Sequence, residues 1–160
     1  MPVQVLQHPR EAGHAKGSLP LLRLSLQRLH CSVGDHIDAA ALPPARWRLL
    51  YPGEADTPPP GALPDAEANG LVVLDGTWRQ TRKLLHDNPW LNALPRWPLP
   101  TPPPSRYAIR KAQRPGQLST LEATCLALGT LEGHPERYAP LLAAFDGWMA
   151  DELARRPPHN

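Results

Sequence analysis

Cysteine is scarce in this sequence. Cys31 and Cys125 are its only two, far apart and outside any C-x-x-C spacing. That argues against a cysteine-built zinc site and predicts reduced core thiols in a cytoplasmic protein. Long apolar runs are also missing. None approaches the roughly 18 residues that a membrane span needs, and no basic segment followed by an apolar one opens the chain as a secretory signal would. A membrane is therefore not an expected partner. Bulk charge is small, at +2, so composition alone does not announce a polyanion partner. No internal repeat is present, and nothing in the sequence sets an oligomeric state.

What is present is a globular composition. The chain has 160 residues, 41% hydrophobic and 20% charged. That is enough to bury one core without metal or disulfide help, so one domain over 1–155 with a short tail at 156–160 is expected. Proline is abundant at 22 residues and clusters at Pro43-Pro44, Pro58 to Pro60, Pro98 to Pro104 and Pro157-Pro158. These clusters read as stiff extended connections. Charge is unevenly spread. Between Arg79 and Arg114, eight basic residues stand against one acid, Asp87, leaving seven excess positive charges in a nearly neutral chain. Such asymmetry suggests a basic face; solvated side chains on loops are the plain alternative.

Hydrophobic periodicity gives the elements. Val3 to Leu6 reads as a short strand, then His8 to Glu11 as a turn. Ser18 is a plausible cap for a helix whose apolar face carries Leu19, Leu22, Leu26 and Leu29. Arg46 to Tyr51 suggests a second strand, stopped by Pro52-Gly53, and 52–69 reads as a surface loop. Leu71-Val72-Val73-Leu74 is wholly apolar, the pattern of a central parallel strand. A helix follows from Thr77 to about His86, then irregular chain, then a possible strand over Ser105 to Arg110. Ser119-x-x-Glu122 fits a capping box at the start of a helix bearing Leu121, Cys125, Leu128 and Leu131. A last stripe, Tyr138, Leu141, Leu142, Phe145, Trp148 and Met149, has helical spacing and reads as core. Strands alternating with helices predict an α/β fold with a mostly parallel sheet.

The junction Asp75-Gly76-Thr77-Trp78 ends the apolar strand and opens a basic amphipathic helix. A strand that delivers a carboxylate, a glycine and a hydroxyl to a helix mouth is a common way to build a site. The same residues also serve as plain helix caps.

Four clusters occur in order: His8-Pro9-x-Glu11 with Lys16-Gly17-Ser18; Asp75-Gly76-Thr77-Trp78; Ser105-Arg106-Tyr107-x-Ile109-Arg110; and Leu118-Ser119-Thr120-x-Glu122-Ala123. Together they resemble the DTW-domain family, the tRNA-uridine aminocarboxypropyltransferases, from about Val3 to about Leu131. The resemblance implies a fold similar to the SPOUT-like α/β class, with a deep trefoil knot at the cofactor site. It implies S-adenosylmethionine as co-substrate and transfer of its 3-amino-3-carboxypropyl group to N3 of a tRNA uridine. A sister group modifies ribosomal RNA in the same way. The cysteine cluster that opens many members is not in this sequence, which leaves the target position and the RNA class open.

Under that resemblance, Asp75 is the candidate base for the N3 proton; its alternatives are a helix cap or a holder of a cofactor hydroxyl. Gly76, Thr77 and Trp78 form a candidate cofactor wall, with core packing as the alternative for Trp78. Ser18, Ser119, Thr120 and Glu122 are candidate cofactor contacts or simply caps. Arg79, Arg82, Lys83, Arg106, Arg110 and Lys111 are candidate phosphate contacts. Tyr107 is a candidate base-stacking residue or a strand residue in the core. His8 and His14 lack ligand spacing, so no metal is expected; His8 and Glu11 fix the turn or touch RNA. Competing readings are a SPOUT-type RNA methyltransferase and a non-catalytic RNA-binding module.

Overall fold

Leu71 to Leu74 are all buried, which a strand achieves only when both of its faces are covered. The structure, a computed structural model, describes residues 1–13, 17–53, 68–99 and 118–155. Among these residues four parallel strands form one sheet: β1 (Val3–Gln7), β2 (Leu29–Val33), β3 (Trp47–Leu50) and β4 (Gly70–Asp75), in the order β2-β1-β4-β3. The apolar run thus lies inside the sheet, as its composition predicts.

The helices are α1 (Leu19–Ser25), α2 (Trp78–Asp87), α3 (Thr120–Leu131) and α4 (Ala139–Ala154). Single 3-10 turns occupy Pro9–Glu11, Ala39–Ala41, Pro89–Ala93 and Pro135–Tyr138. Alternation along the strands divides the sheet. Leu6, Leu49, Val72 and Leu74 face one side and pack with Leu84 and Leu85 of α2, Leu91 and Ile37. Val3, Val5, Leu71 and Val73 point to the other side and are buried too.

One expected element changes. Leu26 and Leu29 extend the apolar face of a helix in sequence, yet α1 stops at Ser25 and Leu29 begins β2. Leu29-x-Cys31-x-Val33 also alternates with period two, and the free edge of β1 takes it up in register, Val3 opposite Leu29 and Gln7 opposite Val33. Ladder pairing overrides the helical pattern.

The chain divides into two compact units, Met1–Pro100 and Thr101–Asn160. The first holds the sheet, α1 and α2. The second holds α3 and α4. There, Leu121, Cys125, Leu128, Phe145 and Met149 are buried. Phe145 stacks on Trp148 with centroids 5.9 Å apart, as the stripe predicts. The possible strand over Ser105 to Arg110 and the tail lie outside the described residues.

Candidate active site at the strand–helix junction

Parallel register sets Gln7 directly opposite Asp75, each the last residue of its strand. The two strands leave the sheet in different directions. The chain after β1 runs to β2, on one side. The chain after β4 runs through α2 to a segment on the far side of β3, where Leu49 N–H donates to the Pro95 carbonyl and Trp97 N–H to that of Leu49, both at 2.8 Å. Open α/β sheets leave a crevice where neighbouring strands diverge in this way, outside their carboxyl ends. Gln7 and Asp75 stand at its mouth.

The junction answers the question of the cap. Thr77, not Asp75, caps α2: its hydroxyl accepts from Gln80 N–H at 3.3 Å, and the Gln80 side-chain oxygen accepts from Thr77 N–H at 2.6 Å. This reciprocal box satisfies two groups at the helix start. The N–H groups of Trp78 and Arg79 have no acceptor among the described residues. The Asp75 carboxylate takes no part in the cap. Gln7 Nε2 donates to its Oδ2 at 2.9 Å. A side chain at Gly76 would press on Gln80, whose Cβ and Oε1 both lie 3.0 Å from the Cβ position, and would touch His8 at 3.5 Å.

His8 is buried, and its Nδ1 accepts from Arg10 N–H at 3.2 Å, so it caps the turn after β1 as one of its expected roles. Its Nε2 lies 3.6 Å from Asp35, which in turn lies 3.5 Å from Lys83. Lys83 also pairs with Asp87, and this bond raises its pKa. Trp78 is 39% exposed and meets Tyr51 edge to face at 5.7 Å; the Arg96 guanidinium lies over the Tyr51 ring at 5.4 Å. Trp78 therefore departs from the buried face formed by Thr81, Leu84 and Leu85. Arg79 and Arg82 are exposed.

Neither cysteine supplies a nucleophile. Burial pushes the Cys31 thiol up; Arg23 opposes that and Asp75 adds to it. Burial, helped by Glu122, pushes Cys125 up to about 12. Thiols shifted this way stay protonated and inert at neutral pH.

The junction gathers Asp75, Gly76, Thr77 and Trp78 in the first unit. Ser18 opens α1, but its hydroxyl makes no capping bond. Ser119 and Glu122 form the capping box expected of them at the start of α3, in the second unit, with bonds of 2.9 and 3.2 Å; Thr120 is the first residue of that helix. Arg106, Tyr107, Arg110 and Lys111 lie outside the described residues, as do His14 and Lys16. Sequence reasoning missed Gln7, Tyr51 and the Asp35 link. The one available signal was that Gln7 and Tyr51 each stand at the carboxyl end of a strand pattern. Among the described residues no cluster of His, Cys, Asp and Glu is arranged to hold a metal. No helix among them is long and apolar enough to cross a membrane.

Residues 1–152 match the model of the DTW domain. The tRNA-uridine aminocarboxypropyltransferase 2 of Drosophila melanogaster is 31% identical over 144 residues, which cover 84% of this chain and 57% of that protein. The protein of the same name in Mus musculus is 28% identical over 139 residues, or 80% of this chain and 47% of its own length. The chain thus spans about half the length of the curated relatives it matches. No solved structure matches it significantly.

Proposed function

Because the chain belongs to the DTW-domain family, we propose that it transfers the 3-amino-3-carboxypropyl group of S-adenosylmethionine to N3 of a uridine in tRNA. One observation carries the reading: Asp75, at the carboxyl end of a central strand, is not used to cap α2 and presents its carboxylate at the crevice. The relatives' name supports the choice of reaction and substrate.

The residues present fit the donor in kind. S-adenosylmethionine carries a cation, a carboxylate and a flat ring. The junction offers Asp75 for the first, the N–H groups of Trp78 and Arg79 for the second, and the exposed indole of Trp78 for the third. When bound, it supplies an electrophilic γ-carbon, so that the N3–C bond forms as the C–S bond breaks and methylthioadenosine leaves with the electron pair.

The protein's own part is proton removal and alignment. Uridine N3 is a poor nucleophile while it carries its proton. Asp75 takes that proton, a contribution of about 10²–10⁴ in rate for a positioned base. Gly76 leaves room for the Gln80 side chain that closes the capping box. Alignment of the reacting atoms is worth more still, and the rigid strand end supplies it. N3 lies on the pairing edge of the base, so the target uridine is unpaired when it enters. Arg79 and Arg82 meet phosphates beside it. The SPOUT-like knot and a cytoplasmic site of action belong to the same proposal and rest on family resemblance. The family match runs through both compact units, which supports 1–155 as one functional domain with 156–160 as its tail.

Nucleoside mass spectrometry of tRNA incubated with the full chain and S-adenosylmethionine tests this. The expected products are 3-(3-amino-3-carboxypropyl)uridine and methylthioadenosine. S-adenosylhomocysteine with a methylated nucleoside would replace this reading with methyl transfer. Binding of tRNA without calorimetric binding of S-adenosylmethionine would leave an RNA-binding module.

A further inference from the structure

We infer that Gln7 is a positioning residue that sets the orientation of the Asp75 carboxylate. The inference rests on the reading of Asp75 as the base, and it adds a residue that the family motifs do not contain. Gln7 Nε2 donates to Asp75 Oδ2 at 2.9 Å, across a gap of 68 residues in sequence. A carboxylate only accepts, so the amide end facing it is the NH2 group. A bond to an ionised acceptor is shorter and about twice as strong as a neutral one.

The mounting of both side chains makes the bond a positioning device rather than a surface contact. Gln7 and Asp75 are register partners on adjacent central strands, so both point to the same face of the sheet. Their backbones are held at the very end of the ladder. Gly34 N–H donates to the Gln7 carbonyl at 3.2 Å, and His8 N–H to that of Asp75 at 3.0 Å. Rigid strand ends fix the two Cα positions, and the amide then selects the carboxylate's rotation. The titratable neighbour on the third strand is Cys31, within electrostatic reach of Asp75 and of Arg23 on α1. His8 is the next residue in the chain and has its Nδ1 engaged with Arg10 N–H. None of these is altered by a change at Gln7.

The test uses the full chain with tRNA and S-adenosylmethionine. In Gln7→Leu, which keeps the bulk and removes the donor, kcat should fall about tenfold while KM stays within twofold. Gln7→Glu places a second carboxylate where the amide was and should lower kcat at least as far, which preserves the test if the leucine variant does not fold. Turnover lost in Asp75→Asn but kept in the folded Gln7 variants overturns the inference alone. Turnover that persists in Asp75→Asn removes Asp75 as the base, and the inference with it.

Discussion

Asn88 holds Ile37 by the backbone: its side-chain oxygen accepts from Ile37 N–H at 2.7 Å, across 51 residues. The same amide donates to the carbonyls of Asp35 at 2.8 Å and Leu84 at 2.9 Å. A single buried side chain thus ends α2 and pins the loop that carries Asp35 beside Lys83. Asn88→Ala leaves buried backbone groups without partners. It is expected to destabilise the protein by about 2–3 kcal/mol in urea titration. A loss below about 0.5 kcal/mol would mean that water takes over these bonds.

Phosphate contacts should fall on Arg79 and Arg82 more than on Lys83. Both arginines are exposed, whereas the Lys83 ammonium is shared between Asp87 and Asp35. If the proposed tRNA binding holds, Arg79→Ala with Arg82→Ala should lower the slope of log K against log salt by about 1.5–2. Lys83→Ala should change it by much less. Fluorescence anisotropy with tRNA across a salt series reads the difference. A larger effect from Lys83 would place the RNA on the other side of α2.

Lys83, and after it His86, hold the Asp87 carboxyl at about 2, below its usual 3.8. The folded value lies below the unfolded one. The contribution to stability is therefore complete above about 3.8 and is lost as pH falls through about 2. Urea midpoints of the protein and of Lys83→Met should differ at pH 5 and converge near pH 2. Because the pair is solvent-screened, molar salt should shrink the gap at pH 5. A gap that persists at the lowest pH would mean that Lys83 acts through packing of its stem.

Gly129 lies inside α3, where alanine would ordinarily gain about 1 kcal/mol of helix propensity. The site reverses the sign. A Cβ there would sit 2.9 Å from Pro135 Cα, a backbone atom that cannot rotate away. Gly129→Ala is expected to cost about 1–2 kcal/mol net, because the 3-10 turn at Pro135–Tyr138 must shift. A rise in thermal midpoint would show that this turn yields freely.

The junction was half legible in the sequence. Ser119-x-x-Glu122 announced its capping box, and the structure forms it. Thr77-x-x-Gln80 carries the same signature, but Asp75 two residues earlier is an equally good capping residue by type. Only the structure shows that the Thr77 hydroxyl, not the Asp75 carboxylate, takes the role. Leu29 was misread for a related reason: leucines at helical spacing and a period-two stretch overlap there, and a local pattern cannot rank them.

By itself the sequence determined the features whose causes lie within a few residues. The apolar run of β4, the amphipathic α2, the capping box of α3 and the burial of Phe145 and Met149 in α4 follow from side-chain type and period, and α/β architecture follows from the alternation of strands and helices. The tertiary structure decided which strands are neighbours. Parallel pairing joins segments far apart in the chain and leaves no local trace. It turned Leu29–Val33 into a strand and set Gln7 against Asp75. The same pairing converted a capping-type aspartate into a carboxylate held at the mouth of the sheet.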